Sequence, residues 1–242
     1  MKKHGNKNDF WQHYHHIVEL SEEGNQELYI RLDNYLKDDI VRHFIISNIP
    51  KKYFSFEWES LKDSIGEVHA NDDAVNKIDK YLNSISSAAE KGIGVYLHGD
   101  HGVAKTTVAS IFLKEAVKQF YKCYFMKATS IVEFIRAGWK NESRREFFEY
   151  IISKVDFLVI DDIARLFDNQ SEAEKSYIDK IFTQRDDQNL VTIITANHDI
   201  SENLNIFGTA LTSNFNERLI PIHLHGTDFR KTIGENLLEE LK

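Results

Sequence analysis

The chain reads as an α/β protein: a five-stranded parallel sheet with helices on both faces. Three observations predict it. Short apolar runs alternate with helix-length amphipathic segments, the pattern of parallel strands joined by crossover helices. The first such run, Ile93–Leu97, leads directly into a glycine-punctuated turn and then a helix. A later run, Phe157–Ile160, ends in two adjacent carboxylates, Asp161 and Asp162.

The turn after the first strand comprises Gly99, Asp100, His101, Gly102, Val103, Ala104, Lys105, Thr106 and Thr107. Gly99 and Gly102 let the backbone fold tightly round an anion. Lys105 brings a positive charge to the β- and γ-phosphates of a nucleotide, and the Thr106 hydroxyl suits Mg²⁺. The following helix, from about Thr106 to Phe120, aims its N-terminal amides and dipole at the same anion. The phosphate-loop pattern expects glycine where this chain has Ala104. In a right-handed conformation alanine fits there at little cost; at positive φ it costs on the order of 1 kcal/mol. A glycine-rich turn that binds nothing would look similar, but the second motif argues for a site. At the carboxyl end of a buried parallel strand, where ligands of open sheets bind, Asp161 is placed to hold Mg²⁺ and Asp162 to polarise an attacking water. The expected cofactors are therefore ATP and Mg²⁺.

The remaining elements follow in order. Leu28, Leu32, Tyr35, Leu36, Ile40, Val41 and Phe44 recur at helical spacing, which predicts a separate helical module over residues 1–47. Its segment Phe10–His16 is aromatic and rich in histidine. The spacing of His13, His15 and His16 does not match a helical metal pair, so an aromatic face for a partner is the better reading. The turn Ser47-Asn-Ile-Pro50 separates this module from a second unit, residues 48–242. Asp72–Ala89 reads as one amphipathic helix with Val75, Ile78, Leu82 and Ile85 on one face. Strands are expected at Lys122–Lys127, Val191–Thr195 and Ile220–Leu224, and helices at Ser130–Gly138, Ser143–Lys154 and Ser171–Asp186.

Composition sets the class. Hydrophobic residues at 42% can build a core in a chain of 242 residues, and 28% charged residues is ordinary for a soluble protein. A net charge of −8 argues against a protein coated by nucleic acid but allows a local basic groove. The single cysteine, Cys123, excludes internal disulfides and cysteine-based zinc sites. No run reaches the length of a membrane span and no signal-peptide pattern opens the chain, so a cytoplasmic location without membrane contact is expected.

Polar residues in the last third fit the same site. Asn197 follows the strand ending at Thr195 and is placed to orient water, although asparagine also favours turns. Arg218 ends a helix ahead of a strand. It either reaches a neighbouring subunit's nucleotide or pairs with nearby carboxylates. Arg230 is positioned to touch the γ-phosphate from the same chain.

The order of these motifs resembles the AAA+ ATPases, and among them the DnaC/DnaI-type replicative helicase loaders of bacteria and phages, with IstB-like relatives. The resemblance covers about residues 47–232 and rests on Asn48-Ile-Pro-Lys-Lys-Tyr53, the phosphate loop, Asp161-Asp162, Thr195-Ala-Asn197, Glu217-Arg218 and Asp228-Phe-Arg230. It implies an ATPase, slow and completed between subunits, without the C-terminal lid domain of most AAA+ proteins. It implies that Asn197 acts as sensor 1, Arg218 as a trans-acting finger and Arg230 as a sensor 2 arginine. Asp162 stands where many relatives have a catalytic glutamate, and its shorter reach suggests slow hydrolysis. The N-terminal module lacks the cysteines of the zinc module found in some loaders.

The loader resemblance also implies a hexameric replicative helicase, single-stranded DNA and self-association through the ATP site as partners. Phe134, Arg136, Trp139, Lys140, Arg144 and Arg145 mix cations with aromatic platforms, as sequence-tolerant single-strand binding requires. An ordinary charged face fits them equally, because Glu142 and Glu146 flank the paired arginines, and Phe134 also suits the core. Two rival functions remain open: a transposition ATPase of the IstB type, which binds duplex DNA and a transposase, and a barely hydrolysing protein that binds a loader or helicase as a decoy.

Overall fold

The computed structural model describes residues 47–138, 141–166, 171–199 and 217–226. The module expected over residues 1–47 lies outside them except for Ser47. Trp139, Lys140 and Arg230 also lie outside, as does the chain after Gly226 on which a lid would be judged.

The elements follow the expected alternation. Helices α1 (Trp58–Gly66), α2 (Asp72–Leu82) and α3 (Ile85–Lys91) precede strand β1 (Gly94–His98). Then come α4 (Lys105–Lys118), β2 (Cys123–Lys127), α5 (Ala128–Gly138), α6 (Glu142–Lys154), β3 (Phe157–Asp161), α7 (Glu172–Asp187), β4 (Val191–Thr195) and β5 (Leu219–His223). The strands form one five-stranded sheet in the order β2-β3-β4-β1-β5, and every pairing is parallel. The order places β1 between β4 and β5. In register, Leu97 lies opposite Thr195, Ile160 opposite Ile194 and Lys127 opposite Asp161. The carboxyl ends of β3, β4 and β1 therefore converge where the glycine-rich turn begins.

Alternate residues of each strand enter different cores, as a parallel sheet covered on both sides requires. Val95, Leu97, Phe125, Phe157, Val159 and Ile193 pack with α2, α3, α4 and the segment from Ile49 to Ile65. Tyr96, Met126, Leu158, Ile160 and Ile194 pack with α5, α6 and α7. Cys123 is buried, as expected.

One expected element is divided. The helix read over Asp72–Ala89 ends at Leu82 and restarts at Ile85. The Asn83 and Ser84 backbone N–H groups still donate to the Asp79 and Tyr81 carbonyls, at 3.1 and 2.9 Å, but Ser84 leaves the helical region at φ −123°. The turn re-aims the chain, so that Ala74, Ile78 and Tyr81 and then Ile85 and Ala88 all reach the same core.

Two buried cations tie elements together. The Arg185 guanidinium, on α7, donates to the carbonyls of Ile151, Ile152, Val155 and Val191 and to the Thr192 hydroxyl. It thereby satisfies carbonyls at the C-terminus of α6 that no helical partner can reach. Burial lowers its pKa to about 9. The Lys114 ammonium, on α4, donates to the Phe54 and Phe56 carbonyls and lies 3.6 Å from Glu57 Oε1. Burial lowers the Lys114 pKa to about 8, against the pull of Glu57.

Candidate nucleotide site

The site is built on the strand-to-helix turn between β1 and α4. Gly99 has φ 137°, and a Cβ there would stand 2.0 Å from the Leu224 carbonyl oxygen. Only glycine lets the loop leave β1 so close to the end of β5. Gly102 also has positive φ, at 87°. Val103 is 1% exposed and anchors the loop in the core, while Asp100 and His101 stand exposed. Ala104 adopts the left-handed region, φ 66° and ψ 15°. Of the two conformations open to it, it holds the one that is costly for a residue with a Cβ.

Lys105 and Thr106 open α4. The Lys105 ammonium is folded back on the loop, donating to the Gly99 carbonyl at 2.7 Å and the Asp100 carbonyl at 2.6 Å. Thr106 Oγ1 donates to Asp161 Oδ1 at 2.8 Å. The loop hydroxyl and the first carboxylate of the β3 motif are thus brought together. Both offer hard oxygen donors, which fit Mg²⁺. Among the described residues, no group of three or more His, Cys, Asp or Glu is arranged to hold a metal ion. Thr107 is half-buried beside them.

Thr195 joins this pair, and sequence reasoning missed it as a site residue. Its hydroxyl donates to Asp161 Oδ1 at 2.7 Å and accepts from the Asp162 backbone N–H at 2.9 Å. Thr195 is 2% exposed. It therefore fixes both members of the Asp161-Asp162 pair from the neighbouring strand. Asp162 itself turns into the left-handed region at φ 60°. The signal was present in the sequence: a threonine closing a largely apolar strand. Without the sheet order nothing said that β4 lies beside β3. Asn197 follows, half-buried, beyond the end of β4.

A glycine-rich loop with its lysine, a threonine and an aspartate in contact, and a parallel sheet delivering all of them to one edge together describe a nucleotide-binding core. The family described as "IstB-like ATP binding protein" matches residues 66–232, more than half of the chain. The chain belongs to the IstB-like ATP-binding protein family. Solved structures share the fold. The crystal structure of the DnaC helicase loader superposes with a TM-score of 0.56 at 21% identity, over 63% of this chain and 88% of that one. The crystal structure of DnaI gives 0.57 at 20% identity, over 74% and 95%. The replication initiator DnaA bound to AMPPCP and single-stranded DNA gives 0.54 at 22% identity, over 70% and 51%. These likenesses fix the fold as the P-loop AAA+ α/β arrangement. None of the curated proteins matches the chain.

The other expected site residues of this IstB-like protein fall elsewhere. Arg218 precedes β5, at the amino end of the sheet, whereas the phosphate loop leaves the carboxyl end of β1. Its guanidinium donates to the Lys91 carbonyl at 2.6 Å and to Asn189 Oδ1 at 3.1 Å, and its Nε lies 3.4 Å from Asp186 Oδ1. Of the expected single-strand patch, Arg136 Nε donates to Glu174 Oε1 at 2.6 Å, and Arg145 pairs with Glu142 at 3.3 Å. The Phe134 ring stacks on Phe148 at 5.2 Å, half-buried in the second core. Arg144 lies on α6. Phe147 and Tyr150, also on α6, are the more exposed aromatics, at 47% and 46%. Among the described residues no helix is long and apolar enough to cross a membrane.

Proposed function

We propose that the protein is a nucleotide-switched assembly factor of the replicative helicase-loader kind. In this reading Lys105 leaves the Gly99 and Asp100 carbonyls to meet the phosphates of ATP, and Thr106 and Asp161 hold Mg²⁺, which neutralises phosphate charge. Asp162 polarises the attacking water, Thr195 holds both carboxylates in register, and Asn197 orients the water. Arg218, on the opposite edge of the sheet, reads the nucleotide of an adjoining subunit, and Arg230 acts on the nucleotide of its own chain. The oligomer holds single-stranded DNA, and residues 1–47 grip a hexameric helicase until hydrolysis, or loss of nucleotide, releases it.

The observation that carries the nucleotide switch is the direct contact of Thr106, Asp161 and Thr195 at the mouth of the loop. The helicase-loader part is supported by the superposition on DnaC and DnaI over most of those two chains. The family match favours a second reading, a transposition ATPase that binds duplex DNA and a transposase. Fluorescence anisotropy of labelled single-stranded and duplex oligonucleotides, with ATP and with ADP, separates the two. ATP-dependent single-strand binding that Lys105→Ala abolishes is the expected result. Preference for the duplex moves the assignment to the transposition ATPase. Nucleotide-independent binding, or none, rejects a switch of either kind.

A further inference from the structure

Three histidines crowd the base of the phosphate loop, and the nucleotide chemistry above does not use them. His98 ends β1 immediately before Gly99 and is 5% exposed. The His223 ring, at the end of β5, stacks on it at a centroid separation of 4.4 Å and an angle of 18°. The His225 ring lies 3.7 Å from that of His223. The stack is held from several sides. The Tyr96 ring lies 5.8 Å from that of His98, tilted by 38°. Asn71, at the start of α2, accepts from the His225 backbone N–H at 2.7 Å and donates to its carbonyl at 2.9 Å. The Leu224 N–H donates to the His98 carbonyl at 2.8 Å.

The charges facing the stack come from three directions. Asp199, past β4, places Oδ2 3.8 Å from His98 Nε2. Lys105, from the start of α4, acts on His98 with positive charge. Asp100, from the loop, acts on His223 together with Asp199. Burial and then the neighbouring imidazoles and Lys105 lower His98 to about 4, against Asp199. Burial thus favours the neutral form of His98. His223 is largely exposed, and partial desolvation at the stack and then His225 lower it as well, while Asp199 and Asp100 pull the other way.

We propose that His223 takes up a proton when nucleotide phosphates enter the loop, so that nucleotide affinity rises as pH falls. This rests on the nucleotide reading of the loop. Phosphates seated between Gly99 and Lys105 add negative charge beside Asp100. That added charge favours a positive ring on His223, which Asp199 and Asp100 already favour. By linkage, uptake of protons on binding means tighter binding at lower pH. His98 contributes a neutral, immobile ring for His223 to lie against, and so acts as a positioning residue.

The test is calorimetric titration of the full chain with MgADP near pH 6.5, in buffers of different ionisation enthalpy, which counts protons exchanged. Protonation of the nucleotide itself is common to all proteins compared, so the difference between wild type and His223→Gln isolates the ring. The expected difference is about half a proton, with wild-type affinity rising roughly threefold per pH unit below 7 relative to the variant. Equal proton counts in the two proteins overturn the proposal, including the case where His223→Gln weakens binding equally at every pH. That last result would assign the stack a purely structural role. If wild type binds no MgADP at any pH, the nucleotide reading itself falls and the proposal falls with it.

Discussion

Ala104 shows how much one methyl group matters at this site. Its left-handed backbone, φ 66°, belongs to a position where the phosphate-loop pattern expects glycine. A residue with a Cβ pays roughly 1–2 kcal/mol for that region, and glycine loses part of the gain through its freer unfolded chain. Ala104→Gly is therefore expected to stabilise the protein by about 0.5–1 kcal/mol, read as a higher urea midpoint at unchanged slope. No change or a loss would mean that the loop relaxes round the methyl at no cost. Thr195 makes the opposite case. Thr195→Val keeps the shape but removes a donor to Asp161 and leaves the Asp162 N–H without its acceptor. The expected cost is about 1–3 kcal/mol of stability, together with an ATPase rate reduced at least tenfold while the KM for ATP changes little. A rate equal to wild type would remove Thr195 from the site. Both features were half-legible in the sequence. The missing glycine was visible, but its φ was not; the threonine was visible, but its neighbour across the sheet was not.

At the scale of elements, the joint between α5 and α7 carries a pH signature. Ser171 caps α7 in a reciprocal capping box with Glu174, and Glu174 also accepts from Arg136 of α5. The Arg136 hydrogen bond, then those from Ser171, hold the Glu174 carboxyl down to about 2. Its folded pKa is thus depressed below the ordinary value of 4.5. The stabilisation is fully present above that ordinary value and is lost as pH falls toward 2. Glu174→Gln is expected to be less stable than wild type at pH 7 and to converge on it by pH 2–3, followed by circular dichroism during acid titration. A constant gap across that range would mean that the pair contributes shape, not charge. The buried Arg185 is a second joint. Arg185→Met should cost about 3 kcal/mol, because it leaves carbonyls at the end of α6 without donors. A loss under 1 kcal/mol would show that water replaces the guanidinium. The strands, and the helices from α4 onward, were readable to within a residue or two, since short apolar runs bounded by polar turns specify strands locally, whereas α1 was not read from the sequence. The break at Asn83-Ser84 was not readable. Both residues tolerate a helix, and only the shape of the core beneath them ends it. The histidine stack was hidden for the same kind of reason, because β1 and β5 are distant in sequence and become neighbours only in the finished sheet.

For the whole molecule, the sheet order decides what a single chain can do alone. β3, β4 and β1 are adjacent, so one chain supplies the loop, the carboxylates and Thr195 at one edge. Arg218 sits at the other end of strands five residues long, roughly 15 Å away at about 3.3 Å per residue, so it cannot serve the phosphates of its own chain. Its present partners, the Lys91 carbonyl, Asn189 and Asp186, leave its side chain 38% exposed. Two roles then compete: a residue that only fastens the start of β5 to the turns at Lys91 and Asn189, or one that also reaches across a head-to-tail interface. Mixing two inactive proteins distinguishes them. Lys105→Ala keeps Arg218 but loses its own site, and Arg218→Ala keeps the site but loses the arginine. If Arg218 acts across an interface, an equimolar mixture regains about a quarter of wild-type ATPase, because one interface in four pairs an intact site with an intact arginine. If Arg218 only fastens β5, the mixture gives the average of the two proteins measured separately, and Arg218→Ala alone lowers the unfolding midpoint. Recovery without any loss of stability in Arg218→Ala would make the arginine a contact between copies, and would tie ATP hydrolysis to assembly.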